Sequence, residues 1–222
     1  MKHYAIIVAG GSGSRMNTDL PKQFLLLNGR PILMHTIEAF HNSDLKPEII
    51  LVLSQQSRPL WSELCIEHKF DIPCNLVENG LERFHSVRNG LEFTTNDSIT
   101  AVHDAVRPII SNELITRCFA LAEKHAAVIP AVNSKDSVRI KEADGTKSIK
   151  RQDVLLVQTP QVFETKVLKK AYQQEYTETF TDDASVVEKA GTEIFITEGD
   201  SKNIKITYPE DLQIAEVFQK KA

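Results

Sequence analysis

The run Tyr4-Ala5-Ile6-Ile7-Val8-Ala9 opens directly into Gly10-Gly11-Ser12-Gly13-Ser14-Arg15-Met16, and no other stretch limits the fold as tightly. A short apolar run rich in β-branched residues reads as a buried strand. A glycine-rich break at its end reads as a loop at the carboxyl edge of a sheet, where open α/β folds bind ligands. Gly10, Gly11 and Gly13 let main-chain N–H groups turn toward one anion without a Cβ in the way, and Arg15 and Lys22 add two fixed charges beside it. The loop is a candidate polyphosphate cradle. A turn that merely links strand to helix accounts for the glycines but not for the two cations. The dinucleotide fingerprint fails at Met16, where it needs a third glycine, and the Gly-Lys-Ser/Thr ending of a P-loop is absent.

Apolar and amphipathic segments alternate along the chain. Pro31 to Phe40 has a helical face of Ile32, Leu33, Ile37 and Phe40, and Ile49 to Leu53 reads as the next buried strand. The pattern continues with a helix around Pro59 to His68 carrying Trp61 as packing, a strand at Asn75 to Val77, a helix near Ser86 to Phe93 and a strand at Thr100 to His103. A helix then runs from Ser111-Asn112-Glu113 toward Lys124, followed by a strand at Ala126 to Val132. Such alternation predicts an α/β fold with a Rossmann-like, mostly parallel sheet and helices on both faces. Between 134 and 157 the alternating polarity around Asp144-Gly145 predicts a protruding β-hairpin arm. A two-stranded hairpin is marginal in water, so the arm is expected to lie on another subunit, the alternative being a mobile surface hairpin. The chain closes with a strand at Ile194 to Thr197 and a helix from Pro209 to Phe218, with Thr207 and Glu210 at capping-box spacing.

With 222 residues, 41% of them hydrophobic and 25% charged, the expectation is a single domain spanning 1–222. A formal charge of −4 argues against a general nucleic-acid binder, which carries a basic face. The longest apolar runs fall well short of the roughly eighteen residues of a membrane span, and the N-terminal run is too short for a signal peptide. A cytoplasmic protein is therefore expected, with Cys65, Cys74 and Cys118 reduced and inert.

Three later stretches carry candidate chemistry. Gly80-Leu81-Glu82-Arg83-Phe84-His85-Ser86 sits at the same sheet edge as the first loop; it is either a ligand loop or a helix cap by Ser86 with a solvated Arg83. Val102-His103-Asp104-Ala105-Val106-Arg107 ends a strand with one acid, and a single carboxylate suffices for a magnesium ion whose other ligands are phosphates and water. Asp104 and Arg107 could instead pair and pin the loop, while His103 packs or hydrogen-bonds locally. Thr181, before Asp182-Asp183, reads as a helix cap or as a substrate contact.

The pattern A-G-G-S-G-S-R-M with P-K-Q-F resembles the signature of sugar- and polyol-nucleotidyltransferases. Joined in order by G-L-E-R-F-H-S-V, V-H-D-A-V-R-P, T-P-Q-V-F, T-D-D-A-S and N-I-K-I-T-Y-P-E-D-L, it resembles the 2-C-methyl-D-erythritol 4-phosphate cytidylyltransferase family of the non-mevalonate isoprenoid route over nearly the whole chain. The resemblance implies magnesium-dependent transfer of CMP from CTP, with pyrophosphate leaving, by a homodimer joined through the arm. It implies that Ala9 to Arg15, including Gly10, Gly11 and Gly13, and Lys22 hold the CTP phosphates, that Gly80, Arg83 and Ser86 surround the cytosine, and that Asp104 serves the metal. Lys205 would return to the phosphates. Ser137, Arg151, Thr159 and Thr181 would receive the methylerythritol phosphate, with Arg107 ordering them; position 137 has serine where the family pattern has threonine. A ribitol-5-phosphate cytidylyltransferase shares the nucleotide loops. A non-catalytic nucleotide-binding regulatory domain would keep the fold while losing Lys22, Asp104 or Lys205, all of which are present.

Overall fold

Strand β1 (Lys2–Val8) occupies the middle of the sheet, with Ala5 and Ile7 packed into one apolar layer and Tyr4 and Ile6 into the other. A strand apolar at every position from Tyr4 to Val8 must be covered twice, and that requirement organises the rest. The computed structural model describes residues 1–11 and 20–220. In these, β2 (Leu26–Leu27) and β3 (Arg30–Pro31) form a small hairpin around Asn28 and Gly29, both at positive φ, the pair that tight hairpin turns favour. Then come α1 (Ile32–His41), β4 (Glu48–Leu53), α2 (Arg58–Glu67), β5 (Asn75–Glu78), α3 (Arg83–Leu91), β6 (Ser98–Asp104), α4 (Asn112–His125) and β7 (Ala127–Asn133). β4 and β6 flank β1 in parallel, and β5 extends β4 in parallel.

The second half completes a mixed sheet of eight strands among the described residues. β8 (Val138–Glu142) and β9 (Gly145–Ile149) pair with each other as a separate hairpin. β10 (Leu155–Val157) and β11 (Gln161–Glu164) run antiparallel to β7, β11 also antiparallel to β6, and β12 (Phe195–Glu198) lies parallel to β7. Helices α5 (Thr165–Ala171) and α6 (Asp183–Lys189) join α3 on the Tyr4 face, while α1, α2 and α4 cover the other. Helix α7 (Pro209–Gln219) packs Ala215 against Leu27 and Ile32. No helix of the described residues is long and apolar enough to cross a membrane.

The expected alternation holds through β7, and four details differ. The arm ends near Val154, because Leu155–Val157 rejoins the sheet beside β7. Its turn is Ala143-Asp144, with Gly145 (φ +142°) already in β9. Helix α3 begins at Arg83, not near Ser86, since Glu82 is the extended residue before it. The capping box expected of Thr207 and Glu210 is displaced: Asp211 accepts from the N–H groups of Thr207 and Tyr208, both at 2.8 Å, and the Thr207 hydroxyl donates to the Lys205 carbonyl.

Candidate active site

Beyond β1 the chain continues as Ala9, Gly10 and Gly11 along the wall of a cavity of about 410 Å³ at the carboxyl edge of the sheet. The N–H of Ala9 still bonds Val52 O at 2.9 Å, and Gln23 Nε2 donates to the Ala9 carbonyl at 2.8 Å. The Pro-Lys-Gln-Phe motif thus divides its work: Gln23 ties down the loop, Phe24 stacks on Trp61 in the core, and Lys22 lines the cavity. Gly10 has a steric reason to be glycine, as a Cβ there would come within 2.8 Å of the Asn79 Cβ on the facing loop. Gly13 and Arg15 lie outside the described residues.

The facing wall is the loop before α3. Ser86 is not its helix cap: its hydroxyl accepts from the Gly80 N–H at 3.0 Å and donates to the Glu82 carbonyl at 3.1 Å. Its donor and one acceptor site are spent on loop shape. A Cβ on Gly80 would collide with His85, whose carbonyl carbon would lie 2.8 Å away, so the turn requires glycine by close approach. Arg83 is not a solvated side chain. Its Nη1 and Nη2 donate to Asp183 Oδ1 and Oδ2 at 2.9 and 2.7 Å, a two-pronged pair with a fully buried acid.

Three cations converge on Asp104 at the end of β6. Lys205 Nζ is 2.9 Å from Oδ2, Arg107 Nε 3.5 Å from Oδ2, and Arg83 Nε 3.6 Å from Oδ1. Burial alone would raise the Asp104 carboxyl, but Arg83, Lys205 and Arg107 outweigh it and hold the group well below the usual carboxylate range. Arg83 acts through its charge, whereas Lys205 acts both through its charge and through its hydrogen bond to Oδ2. The alternative reading, an Asp104–Arg107 pair, is present as part of this larger cluster.

Arg83, Asp104 and Lys205 also line a second cavity of about 460 Å³, bounded by Arg107, Thr159 and Thr181. Thr181 is exposed and does not cap α6; Asp182 does, accepting from the Ser185 N–H at 2.8 Å. The Thr159 hydroxyl has a defined polarity. Arg107 O can only accept, so His103 Nε2, 3.1 Å away, carries the ring proton. His103 Nδ1 then accepts from the Thr159 hydroxyl at 3.1 Å, and the hydroxyl oxygen accepts from the Asp104 N–H at 3.1 Å. What Thr159 has left is an acceptor lone pair, suited to a ligand hydroxyl.

Burial pushes His103 down to about 4 from 6.5, so the folded chain keeps it neutral while the unfolded chain takes up a proton between those values. Stability is therefore full above pH 6.5 and declines as the pH falls toward 4. Between pH 7 and pH 5 the expected loss is about 2 kcal/mol from this group. Urea unfolding at the two pH values checks it, with a smaller difference expected for His103→Gln; equal stabilities would contradict it.

Ser137 and Arg151 are not brought to either cavity. Both are exposed on or beside the arm, Arg151 Nη1 donating to Lys135 O at 3.3 Å.

The sequence profile of the 2-C-methyl-D-erythritol 4-phosphate cytidylyltransferase (IspD) family matches residues 3–221. The chain belongs to that family. It is 50% identical over 211 residues to the 2-C-methyl-D-erythritol 4-phosphate cytidylyltransferase of Bacteroides fragilis, covering 95% of this chain and 96% of that protein. It is 38% identical to the Bacillus anthracis protein of the same name over 96% of each. The solved structure of 4-diphosphocytidyl-2C-methyl-D-erythritol synthase from Anaerococcus prevotii superposes with a TM-score of 0.83 at 30% identity, covering 99% of this chain and 96% of that one. The Thermus thermophilus cytidylyltransferase gives 0.80 at 28% identity, with 99% and 100% covered.

For this cytidylyltransferase-family chain, the structure gathers Ala9, Gly10, Gly11, Lys22, Gly80, Arg83, Ser86, Asp104 and Lys205 around the first cavity and Arg107, Thr159 and Thr181 around the second. Sequence reasoning gave no role to Gln23, Asn79, Asp183 or Asn203. Asn203 donates from Nδ2 to Thr159 O at 2.8 Å and accepts Arg107 Nη1 on its carbonyl at 2.8 Å. Gln23, Asp183 and Asn203 all stand inside quoted motifs, which was the available signal. The expected inertness of the cysteines agrees with their burial, which pushes the Cys74 and Cys118 thiols up to about 12.

Proposed function

We propose that the chain transfers CMP from CTP to 2-C-methyl-D-erythritol 4-phosphate, the reaction for which its family is named, with CTP in the first cavity and the acceptor in the second. The observation that supports this arrangement is the shared wall: Arg83, Asp104 and Lys205 border both cavities, so two anionic ligands would meet where cationic side chains converge. A phosphate monoester has a second pKa near 6, so its oxygen is already an anion at pH 7 and needs no general base. It attacks the α-phosphorus, the new P–O bond forms as the α–β anhydride bond breaks, and the electron pair leaves on pyrophosphate. Lys22, Lys205 and, beyond the described residues, Arg15 would stabilise the charge that develops. Thr159 would accept from a hydroxyl of the polyol.

A divalent cation fits this site. Asp104 is held ionised, with Oδ2 already facing Lys205 and Arg107 and Oδ1 the less closely engaged oxygen, so it would supply one ligand and phosphate and water the rest. Bound there, the cation would neutralise phosphate charge, and Asp104 would be its protein ligand. Ser137 and Arg151 would serve the second cavity of a partner copy. In support, the arm pairs only with itself among the described residues and leaves Ile140 42% exposed, while Leu155 and Leu156 beside its base are 45% and 50% exposed.

Pyrophosphate release from CTP with each acceptor tests the reading. Methylerythritol phosphate is expected to support turnover at least about tenfold faster than ribitol 5-phosphate, and CTP to be preferred over UTP by a similar factor, since each mispaired polar group costs about 1–3 kcal/mol. Preference for ribitol phosphate would reassign the acceptor, and absence of release with either would leave a nucleotide-binding domain.

A further inference from the structure

Asp183 lines neither cavity and has no exposed surface, yet it anchors the arginine that forms part of both walls. Its two oxygens hold the two terminal nitrogens of Arg83, and Tyr172 donates its hydroxyl to Oδ1 at 2.6 Å. A two-pronged pair fixes the plane and direction of a guanidinium. With both Nη atoms committed, Nε is the nitrogen that faces Asp104, 3.6 Å from Oδ1. We infer that Asp183 is a positioning residue for the transfer reaction: it holds Arg83 at a set distance from Asp104 and so keeps that carboxylate available at the junction of the cavities. This rests on the functional reading above.

Packing alone does not call for such an acid. A buried ion pair is often no more stabilising than an apolar pair of the same volume, whereas removing one partner leaves an uncompensated charge. Here the partner left behind would be Arg83. Freed from Asp183, its fork would turn onto the nearest remaining carboxylate, Asp104, where Lys205 already sits at 2.9 Å. Arg83 would then cover the carboxylate and displace Lys205 from the junction. The damage would reach the transition state more than nucleotide binding, because the rest of the first cavity is formed by the glycine loop, Lys22 and the Gly80 turn.

A double-variant cycle on kcat, read by pyrophosphate release from CTP and methylerythritol phosphate, decides it. Asp183→Asn is expected to lower kcat roughly thirtyfold to a hundredfold, the scale of a misplacement near 1 Å, with the KM for CTP moved less than about threefold. In an Arg83→Met background the same change should cost nothing further, because its route to the reaction is already gone. Equal losses in both backgrounds, or a kcat within about threefold of the parent for Asp183→Asn, would overturn the inference. Tyr172→Phe removes one hydrogen bond and leaves the ion pair, and covers the case in which Asp183→Asn does not fold. It is expected to lower kcat a few-fold, again only when Arg83 is present, and an additive loss overturns the inference equally. A parent that releases no pyrophosphate sinks the functional reading, and this inference with it; the two failures are told apart by whether the parent itself turns over.

Discussion

Replacement of Lys22 by alanine is expected to lower kcat by roughly a hundredfold or more, comparable with removing one donor from an oxyanion hole, and to change the KM for CTP far less. Lys22 leads a short 3-10 turn whose next residues, Gln23 and Phe24, are buried, so its backbone has little freedom to drift. Its ammonium lies 3.4 Å from the Ile206 carbonyl, next in sequence to Lys205. The two lysines therefore reach one cavity from opposite ends of the chain, one behind the glycine loop and one beside Asp104. A charge so placed acts most where negative charge grows during transfer, and least on the ground state of a ligand held by many contacts. Steady-state kinetics with CTP varied at saturating acceptor measures both constants. Turnover within a few-fold of the parent would contradict the assignment.

Mixing two inactive variants should restore activity. Lys22→Ala and Arg151→Ala are each expected to be nearly inactive as homodimers. Refolding an equal mixture should recover roughly a quarter of the parent rate if chains pair at random in a two-fold dimer and Arg151 works across the interface. Half the dimers are then mixed, and each contains one site with both residues intact. Arg151 is exposed at the foot of a hairpin that pairs only with itself among the described residues, and it lines neither cavity of its own chain. No recovery, with mixed dimers demonstrated by mass, would confine Arg151 to its own chain and make the arm a surface loop.

The longer elements were legible in the sequence through an apolar run, a helical face or a cap. β1 and β4 carry continuous apolar runs, Tyr4–Val8 and Ile49–Leu53, and α4 starts where Ser111 does cap it, accepting from the Leu114 N–H. β10, β11 and α5, with three, four and seven residues, were not predicted, although β5 and β12, with four each, were. The start of α3 was hidden because Glu82 precedes it without a side-chain cap, while Ser86, a better cap by residue type, lies inside the first turn. Thr181 and Asp182 offer the same capping chemistry in adjacent positions, and only the backbone at Asp182 makes it the cap.

The sequence alone determined the glycine loop after β1, the inventory of cations and the single acid at the end of β6, because strand ends and close turns demand particular residues locally. It also carried enough ordered motifs to indicate the family. Only the tertiary structure decided what those groups do to one another. Arg83 and Asp183 are 100 positions apart and pair through two bonds inside the core. Among the described residues Lys205 lies nearest to Asp104, yet Arg83, farther away, also holds that carboxyl down, because Asp104 is buried and little water screens it. Distance and burial set the strength of a charge interaction, and neither is encoded in the spacing of residues along a chain.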